Sequence, residues 1–238
     1  MAATILLDLG NSSVKMAALD AKPVLLGSVP TREWIGKPSV LPADLYVACS
    51  VVPDALKALR TVVPSGKRLL VVGEDITIPL KNATRSPATT GTDRLVCAYE
   101  TMRSIGPDCL VVSCGTALVF SVVREGRFVG GNIIPGPQLQ LDSLRKGTAQ
   151  LDFSHEGVDA ESALGDDTPT AMVRGVLWGL AGAIDRLGDE YGDASRAQGI
   201  ITGGWAVRVV PLIRSKLVYH PNVLFEGLAR LARVNGIA

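Results

Sequence analysis

The sequence predicts an α/β protein built from two similar halves, each with the order β-β-β-α-β-α. An apolar run that ends in a glycine-centred turn occurs at residues 4–15 and again at 109–120, and Gly10 of the first run aligns with Gly115 of the second. After each turn the chain enters a second and a third run of strand-forming residues, and helical periodicity follows. This repeat predicts two lobes of the same architecture.

Local patterns place the individual elements, because strands and helices repeat their apolar positions with different periods. In the first half the predicted strands that follow the opening run cover 14–19, 23–27, 44–52 and 68–72, the helices cover 54–62 and 93–104, and 81–90 is a loop. In the second half we expect strands at 118–123, 127–134 and 198–201, and helices at 139–146, 169–191, 205–216 and 223–232. The short turn at Gly106-Pro107 divides the chain into an N-terminal lobe, 1–106, and a C-terminal lobe, 107–238, which we expect to pack around a cleft.

Bulk properties argue against several classes of protein. The 238 residues carry a formal net charge of +1, so there is no electrostatic case for a nucleic-acid partner or an anionic membrane. Apolar runs are short and interrupted by charge, which predicts no membrane-spanning helix. Met1-Ala2-Ala3 leads directly into a strand, and we expect no signal peptide. The four cysteines lack metal-ligand spacing, which predicts free thiols in a cytoplasmic enzyme.

The two glycine turns predict a phosphate site. A glycine allows the backbone to approach a ligand closely, and aligned N–H groups supply partial positive charge. Two such turns that face each other would hold a nucleoside triphosphate between the halves. The predicted contacts are Asp8, Gly10, Asn11, Ser12 and Lys15 in the first turn and Gly115, Thr116 and Ala117 in the second.

The chain resembles the type III pantothenate kinases nearly from end to end. The matching residues, in order, are Asp8-Leu9-Gly10-Asn11-Ser12 with Lys15, Ser50-Val51-Val52-Pro53, Pro87, Gly91-Thr92-Asp93-Arg94, Gly115-Thr116-Ala117, Gly130-Gly131, Ile133, Pro135-Gly136, Leu144, Thr148, Ala149, Leu151, Thr168, Ala171, Gly175, Thr202-Gly203-Gly204 and Glu226-Gly227-Leu228. The order and spacing of these motifs are specific, although each alone is not. The resemblance implies the actin-like ATPase fold of the acetate and sugar kinases. It also implies ATP-dependent phosphorylation of pantothenate to 4'-phosphopantothenate, which begins coenzyme A biosynthesis.

The resemblance assigns the chemistry to the motif Gly91-Thr92-Asp93-Arg94. In isolation, Asp93-Arg94 is most simply a helix start with an exposed ion pair. In a kinase of this family Asp93 is the general base that accepts the proton of the attacking alcohol, and the N–H groups of the first helical turn are expected to keep it ionised. Arg94 is expected to grip the pantothenate carboxylate through a bidentate fork, and Gly91 and Thr92 are expected to contact the acceptor.

The remaining site residues each have a simpler alternative. Gly131 is either a plain turn glycine or backbone that lines the alcohol pocket. Thr168 is an N-cap, with Pro169 behind it, and the resemblance implies that it also reaches pantothenate in the partner subunit of a homodimer. Gly203 and Gly204 form a turn at the start of a helix, a binding surface for adenine and ribose, or both.

The expected cations are Mg²⁺ and, by resemblance, K⁺ or NH₄⁺. Asp8 could simply cap its turn, but together with Asn11, Ser12 and the repeated turn it favours a Mg²⁺–phosphate role, through water. Lys15 is equally compatible with a solvated strand residue and with a phosphate contact. Ser113 stands where the family usually has Asp, so it is a weak cation ligand at most.

Two further expectations concern substrate packing and assembly. Thr84 stands where the family often has Tyr in the pantothenate loop, which predicts altered packing of the substrate. The helix at 169–191 is apolar over a broad arc, and such a helix needs cover on more than one side. A second copy of the chain would supply that cover in a homodimer with sites at the interface, and the other lobe is the alternative source.

Two alternatives to pantothenate kinase activity stay open on the sequence. One is a non-catalytic or regulatory homologue of the same fold, which Ser113 favours. The other is a related small-molecule phosphotransferase or phosphohydrolase. Retention of Asp8, Asp93 and Arg94 argues against a pure binding protein, because such a protein has no need of a base.

Overall fold

The computed structural model describes residues 3–148, 157–191 and 198–237 of the chain. It divides into two compact units: unit 1 comprises Met1–Ser104 with Asn222–Ala238, and unit 2 comprises Ile105–Pro221. The sequence-based lobes, 1–106 and 107–238, differ from this grouping at the C-terminus, which belongs to unit 1. Two residues that contribute to the family resemblance, Ala149 and Leu151, lie outside the described residues.

Strands and helices alternate along the chain in two similar series. The strands are β1 (Thr4–Leu9), β2 (Ser13–Leu19), β3 (Pro23–Pro30), β4 (Leu45–Ser50), β5 (Arg68–Val71), β6 (Lys81–Asn82), β7 (Cys109–Cys114), β8 (Ala117–Arg124), β9 (Arg127–Gly130), β10 (Ile133–Pro135), β11 (Gln198–Thr202) and β12 (Val218–Tyr219). The helices are α1 (Thr31–Gly36), α2 (Pro53–Val62), α3 (Thr92–Ile105), α4 (Pro137–Gly147), α5 (Thr168–Tyr191), α6 (Ala206–Val209) and α7 (Val223–Val234), with 3₁₀ turns at Pro87–Thr89 and Val210–Leu212.

Unit 1 is built on a mixed sheet with the strand order β3-β2-β1-β4-β5. β1 pairs antiparallel with β2 and parallel with β4, so the carboxyl ends of β1 and β4 lie at the same edge. Both faces of β1 are covered, since Leu6 and Leu7, which point in opposite directions, are fully buried. The sheet therefore presents the turn after β1 from a rigid, packed strand.

The C-terminal helix belongs to unit 1 because it packs closely on α3 as well as on the sheet. A Cβ added to Gly227 of α7 would lie 2.6 Å from Val96 Cγ1, so only glycine permits this approach. Glu100 of α3 is 3% exposed, and its carboxylate accepts hydrogen bonds from Arg230 Nε at 2.5 Å and Nη2 at 2.8 Å. Loss of the Arg230 charge would leave the buried Glu100 carboxylate without its partner, which is costly.

Unit 2 repeats the strand pattern of unit 1. Its strands run in the order β12-β11-β7-β8-β9, and β10 also pairs with β8. β7 is antiparallel to β8 and parallel to β11, as β1 is to β2 and β4. The central strand of each sheet therefore leads into a turn at the same topological position. This correspondence confirms the duplicated α/β fold that the sequence predicts.

The apolar arc of α5 is covered within unit 2. Its inward side chains join one core cluster with residues of β7, β8 and β11; they are Met172, Val173, Val176, Leu177, Leu180, Ala181 and Ile184. A second copy of the chain is not needed to cover them, so the breadth of this arc does not argue for a dimer.

The N-cap of α5 is Asp167, and the expectation that Thr168 fills this place is wrong. Asp167 Oδ1 accepts the Thr170 amide at 2.8 Å, and the Asp167 carbonyl accepts the Ala171 amide at 2.9 Å. Thr168 is therefore the first helical residue, and Pro169 is the second.

Other boundaries differ from the prediction for local reasons. The helix expected at 205–216 is limited to α6 and a 3₁₀ turn, because Pro211 has no N–H to continue the ladder. The strand expected at 127–134 breaks at Gly130 and Gly131, whose φ angles are 125° and 144°. The short elements α1, β6 and β12 were not predicted. The four cysteines are free, as expected, and all four are buried. None of the described helices is both long and apolar enough to span a membrane.

Candidate active site

The first turn joins a buried carboxylate to a lysine across the hairpin β1–β2. Asp8 lies opposite Lys15 on β2 and beside Cys49 on β4, and the distance from Lys15 Nζ to Asp8 Oδ2 is 3.8 Å. The Asp8 side chain is only 16% exposed, whereas that of Lys15 is 38% exposed. The predicted phosphate residues Asn11 and Ser12 are exposed at the tip. The structure thus places all five predicted residues of this turn at one end of β1.

The pKa of Asp8 is raised to about 6, chiefly because the carboxyl group is buried. The positive charge of Lys15 lowers this pKa, and the negative charge of Asp93 raises it. Asp93 therefore lies within electrostatic reach of Asp8, although 85 positions separate the two in the sequence. Unit 1 brings together the predicted Mg²⁺ ligand and the predicted base.

Residues at the end of β4 hold the start of α3 against the sheet. The Thr92 hydroxyl donates to the carbonyl of Ser50 at 3.1 Å and accepts from Cys49 Sγ at 3.4 Å. The sequence predicts that Thr92 contacts the acceptor. In the structure its hydroxyl bonds to β4 instead, and these bonds fix the position of the next residue, Asp93. Sequence reasoning missed Cys49, whereas Ser50 begins the motif Ser50-Val51-Val52-Pro53 and could have been found from it.

Asp93 is held by backbone contacts, and burial has a larger effect on its pKa than those contacts do. Its Oδ1 accepts the Arg94 amide at 2.8 Å, and a Cβ added to Gly91 would lie 2.5 Å from the same oxygen, so a larger residue there would displace the carboxylate. The pKa of Asp93 is nevertheless raised, because burial outweighs the backbone hydrogen bonds. The backbone N–H groups lower this pKa, as expected, but their effect is smaller than that of burial.

Arg94 is partly buried at the first turn of α3. Burial lowers the pKa of its guanidinium, and the negative charge of Asp93 raises it. An arginine remains protonated under either influence, so this position holds a permanent positive charge next to the predicted base.

The loop before the signature is held together by hydroxyl and amide groups. Asn82 Oδ1 accepts from the Thr84 hydroxyl at 2.8 Å, and Asn82 Nδ2 donates to Thr90 Oγ1 at 3.0 Å. Thr84 therefore belongs to this network, and its small side chain helps to shape the loop.

The second turn, in unit 2, depends on close backbone packing. The Gly115 amide donates to the Ala117 carbonyl at 3.0 Å, and the Gly136 amide donates to the Thr116 carbonyl at 3.0 Å. A Cβ added to Gly136 would lie 2.2 Å from the Gly115 oxygen, and one added to Gly203 would lie 2.3 Å from the Cys114 oxygen. Gly203 also has a φ of 100°, which favours glycine.

The predicted adenosine turn lies beside the second phosphate turn. Thr202 pairs with Ser113 across β11 and β7, and the Trp205 amide donates to the Cys114 carbonyl at 3.1 Å. Gly204 is exposed, and no atom lies within 4 Å of the position of its added Cβ. Unit 2 thus groups Ser113, Gly115, Thr116, Ala117, Gly203 and Gly204 at one edge of its sheet.

Two predicted acceptor residues lie in other parts of unit 2. Gly131 sits where the strand after β8 breaks, and its added Cβ would lie 2.0 Å from the Phe120 oxygen, so close packing already explains glycine there. Thr168 is at the exposed start of α5. For both residues a contact with the acceptor stays a prediction.

The donors of unit 1 fit a divalent cation. Mg²⁺ prefers hard oxygen ligands and retains several waters, so it needs few protein carboxylates. Asp8 carries such oxygens, and burial together with the charge of Asp93 makes its ionised form costly. A bound cation would offset that cost. In unit 2 Ser113 offers only a neutral hydroxyl at the corresponding position.

Comparison with solved structures identifies the fold. A crystal structure from Campylobacter jejuni, described as a conserved candidate Baf family transcriptional activator, has a TM-score of 0.68 at 16% identity and covers 98% of this chain and 100% of its own. A ROK family glucokinase from Streptomyces griseus, solved with glucose and AMPPNP, has a TM-score of 0.54 at 12% identity, and the match covers 98% of this chain and 99% of the glucokinase chain. The archaeal actin homologue Ta0583 has a TM-score of 0.52 at 11% identity, and the match covers 98% of this chain and 99% of its own. The chain has the actin-like fold of these ATPases and sugar kinases.

Comparison of sequences identifies the family. A type III pantothenate kinase from Desulfovibrio desulfuricans is 33% identical and covers 95% of each chain, and one from Nitrosococcus oceani is 31% identical and covers 96% of this chain and 93% of its own. Residues 4–190 match the family profile of type III pantothenate kinase. The chain belongs to the type III pantothenate kinase family.

Proposed function

We propose that this protein transfers the γ-phosphoryl group of ATP to the primary hydroxyl of pantothenate, which yields 4'-phosphopantothenate and ADP. The observation that carries the proposal is the approach of Asp8 and Asp93 in unit 1, where each carboxyl group has a raised pKa. A phosphoryl transfer needs one carboxylate near the metal and another that accepts the proton of the nucleophile. Family membership supplies the substrate class.

Asp93 is the proposed base. Burial raises the pKa of its carboxyl group, and a carboxylate with a raised pKa is a stronger proton acceptor. The Arg94 amide and the Thr92–Ser50 hydrogen bond fix its position. Proton transfer from the alcohol to Asp93 would accompany attack of the alcohol oxygen on the γ-phosphorus, and the β-phosphate oxygen would leave with ADP.

The other residues bind and orient the two substrates. Asp8, Gly10, Asn11, Ser12 and Lys15 are assigned to the phosphates on the side of unit 1, and Gly115, Thr116 and Ala117 on the side of unit 2. Gly203 and Gly204 are assigned to adenosine. Arg94 is assigned to the pantothenate carboxylate, with Gly91 and Gly131 as backbone neighbours of the acceptor. Mg²⁺, when bound by Asp8, would neutralise charge that develops on the phosphates.

A homodimer in which Thr168 reaches the partner's acceptor site is part of the proposal, as are a cytoplasmic location and assistance by K⁺ or NH₄⁺. Thr168 supports the dimer because it is exposed at the start of α5 and does not cap that helix. Light scattering of the purified protein at micromolar concentration tests it, and a stable, active monomer would contradict it.

A ligand-binding regulator of the same fold is the second candidate. Ser113 favours it, because the second turn lacks the carboxylate that the family usually has there. Purified protein with ATP, Mg²⁺ and pantothenate separates the two candidates. We expect ADP release that depends on pantothenate, and we expect a product whose mass exceeds that of pantothenate by one phosphoryl group. Binding of ATP without either product would favour the regulator.

Arg94→Ala tests the identity of the acceptor. The variant loses the bidentate, charge-assisted hydrogen bonds between the guanidinium and the pantothenate carboxylate. This loss should raise the KM for pantothenate by about 10- to 100-fold and leave the KM for ATP nearly unchanged. The alcohol analogue of pantothenate, which lacks the carboxylate, should be a poor substrate for the wild type and should lose little more in the variant. Arg103→Ala, at the exposed far end of α3, is the matched control. An equal loss with both acceptors would place Arg94 elsewhere.

A further inference from the structure

A threonine that no sequence motif singled out holds the first phosphate turn. Thr31 is the first residue of α1 and is 4% exposed. Its hydroxyl donates to the Gly10 carbonyl at 2.6 Å, and its amide donates to the Ser12 carbonyl at 3.1 Å. One buried residue thus binds two carbonyl groups of the turn that the proposed function assigns to the phosphates.

Four carbonyl groups of the turn accept hydrogen bonds from donors in unit 1. The Leu9 carbonyl accepts the Val51 amide at 3.2 Å, and the Ser13 carbonyl accepts the Gly10 amide at 3.1 Å. With the two bonds from Thr31, the carbonyls of Leu9, Gly10, Ser12 and Ser13 are directed towards protein donors. An oxygen that is held in this way cannot turn towards an anionic ligand, where its partial negative charge would repel a phosphate.

Thr31 is itself held rigidly. Pro30, the residue before it, pairs with Ser13 across β3 and β2, and α1 follows directly. Trp34 of the same helix is 2% exposed in the core of unit 1, and its Nε1 donates to the Ser39 carbonyl at 3.0 Å. The hydroxyl of Thr31 therefore meets the turn from a fixed position, and a hydrogen bond made from a fixed position preserves the geometry of a binding site.

We propose that Thr31 is a positioning residue for the triphosphate: by holding the carbonyls of Gly10 and Ser12 it keeps the backbone of the turn oriented to receive the phosphate chain of a nucleoside triphosphate. The inference rests on the proposed function for the assignment of the turn to phosphate. It does not depend on which acceptor is phosphorylated. Thr31 touches the turn and not the reacting atoms.

A graded series of substitutions isolates the hydroxyl. Thr31→Ser keeps the donor, Thr31→Cys replaces it with a weaker thiol donor, and Thr31→Val removes it at nearly the same volume. The readout is the dissociation constant of inorganic tripolyphosphate and of ATP, each with Mg²⁺, measured by calorimetry without pantothenate. We expect the Thr31→Ser variant to bind both ligands as tightly as the wild type does. The Thr31→Cys variant should bind them a few-fold more weakly, and the Thr31→Val variant about tenfold more weakly.

Thr101→Val is the matched control. Thr101 is 1% exposed, and its hydroxyl donates to the Cys97 carbonyl at 2.8 Å inside α3, so this variant loses the same kind of buried bond away from the turn. Both valine variants should unfold at lower urea concentrations than the wild type. Only Thr31→Val should weaken tripolyphosphate binding. In steady state it should raise the KM for ATP and leave the KM for pantothenate unchanged at saturating ATP.

Several results would overturn the inference. Wild-type affinity of Thr31→Val for tripolyphosphate would do so, and so would equal weakening by Ser and Val or equal weakening by the Thr101 control. If Thr31→Val does not fold, the test is the difference in tripolyphosphate affinity between the Thr31→Cys and Thr31→Ser variants. Identical affinities of these two variants would overturn the inference. Failure of the proposed function is separate: a wild type that binds Mg²⁺–ATP but does not phosphorylate pantothenate would contradict the kinase and leave the role of Thr31 intact.

Discussion

The two glycine turns occupy equivalent places in their sheets but are built by different physical means. The turn after β1 surrounds a buried charge: Asp8 is 16% exposed, faces Lys15 at 3.8 Å and has a pKa raised to about 6. The turn after β7 has the neutral Ser113 in the aligned position, and its backbone is closely approached by Gly136 and Gly203. One turn is organised by electrostatics and hydroxyl contacts, and the other by close steric packing.

The difference explains how a duplicated fold can divide its functions. A buried carboxylate costs stability, so a chain has reason to keep it only where chemistry needs it. Close glycine packing shapes a backbone without any charge, and it suits a turn that only has to bind. The charges of the two turns are therefore concentrated in unit 1, where the proposed catalytic residues lie, and the contrast between the turns predicts different consequences for substitutions in the two units.

The largest effect is expected from the proposed base of unit 1. Asp93→Asn keeps the shape of the side chain but cannot accept a proton, so turnover should fall by roughly two to four orders of magnitude while ATP still binds. Initial rates and calorimetric ATP binding check both parts. Near wild-type turnover would show that Asp93 is not the base and that the buried charge of unit 1 is not needed for proton transfer.

The charge of the first turn should show in stability as well as in activity. Asp8 has a folded pKa of about 6 against an ordinary value of 3.8. At low pH the Asp8 carboxyl group is neutral in both the folded and the unfolded protein. As the pH rises from 3.8 to about 6, Asp8 ionises in the unfolded chain before it does so in the folded protein, and the free energy of unfolding falls. Above pH 6 the penalty should be about 3 kcal/mol in the absence of Mg²⁺.

Asp8→Asn should remove this penalty. The variant should exceed the wild type in unfolding free energy by up to about 3 kcal/mol at pH 7.5 and by about 1 kcal/mol at pH 4.5, and should lose Mg²⁺-dependent turnover. Urea unfolding in a chelator at both pH values measures the first effect. Asp20→Asn, at an exposed position after β2, is the control. A variant less stable than the wild type at pH 7.5 would mean that the ion pair with Lys15 outweighs burial.

The packing of the second turn should fail for a steric reason. Gly136→Ala places a Cβ 2.2 Å from the Gly115 oxygen, so the backbone must shift. We expect a loss of about 1–3 kcal/mol in the free energy of unfolding, with no dependence on pH. Gly147→Ala, whose Cβ would meet no atom within 4 Å at the end of α4, should not destabilise the protein. Equal stability of the two variants would show that close packing does not shape this turn.

The smallest effect is expected from adding the missing charge to unit 2. Ser113→Asp should increase activation by K⁺ by a few-fold, because a carboxylate binds a cation better than a hydroxyl does. The wild type should respond weakly to K⁺ and still require Mg²⁺. Initial rates against K⁺ at fixed ionic strength measure the response. Strong K⁺ dependence in the wild type, unchanged in the variant, would show that other groups form the cation site.

Much of the candidate site could be predicted because each of its motifs is a short, local pattern, although the motifs lie far apart in the chain. A glycine turn between two strands is a local pattern, and the order of motifs located Asp8, Asp93 and Gly203 without coordinates. The positioning residues could not be found in this way. Thr31 and Cys49 lie 21 and 39 positions from Gly10 in the chain and meet the site only through strand pairing and hydrogen bonding.

The sequence by itself determined the duplicated α/β fold, the two turns and the helix that begins at the Asp93 motif, because periodicity, glycine turns and short motifs are local properties of a chain. Tertiary structure alone decided the ionisation of Asp8 and Asp93, since burial depends on atoms from several elements. It also decided that α7 belongs to unit 1, through Gly227 and Arg230, and that the core of unit 2 covers α5. These outcomes depend on which surfaces meet, and the spacing of residues along the chain does not encode that directly.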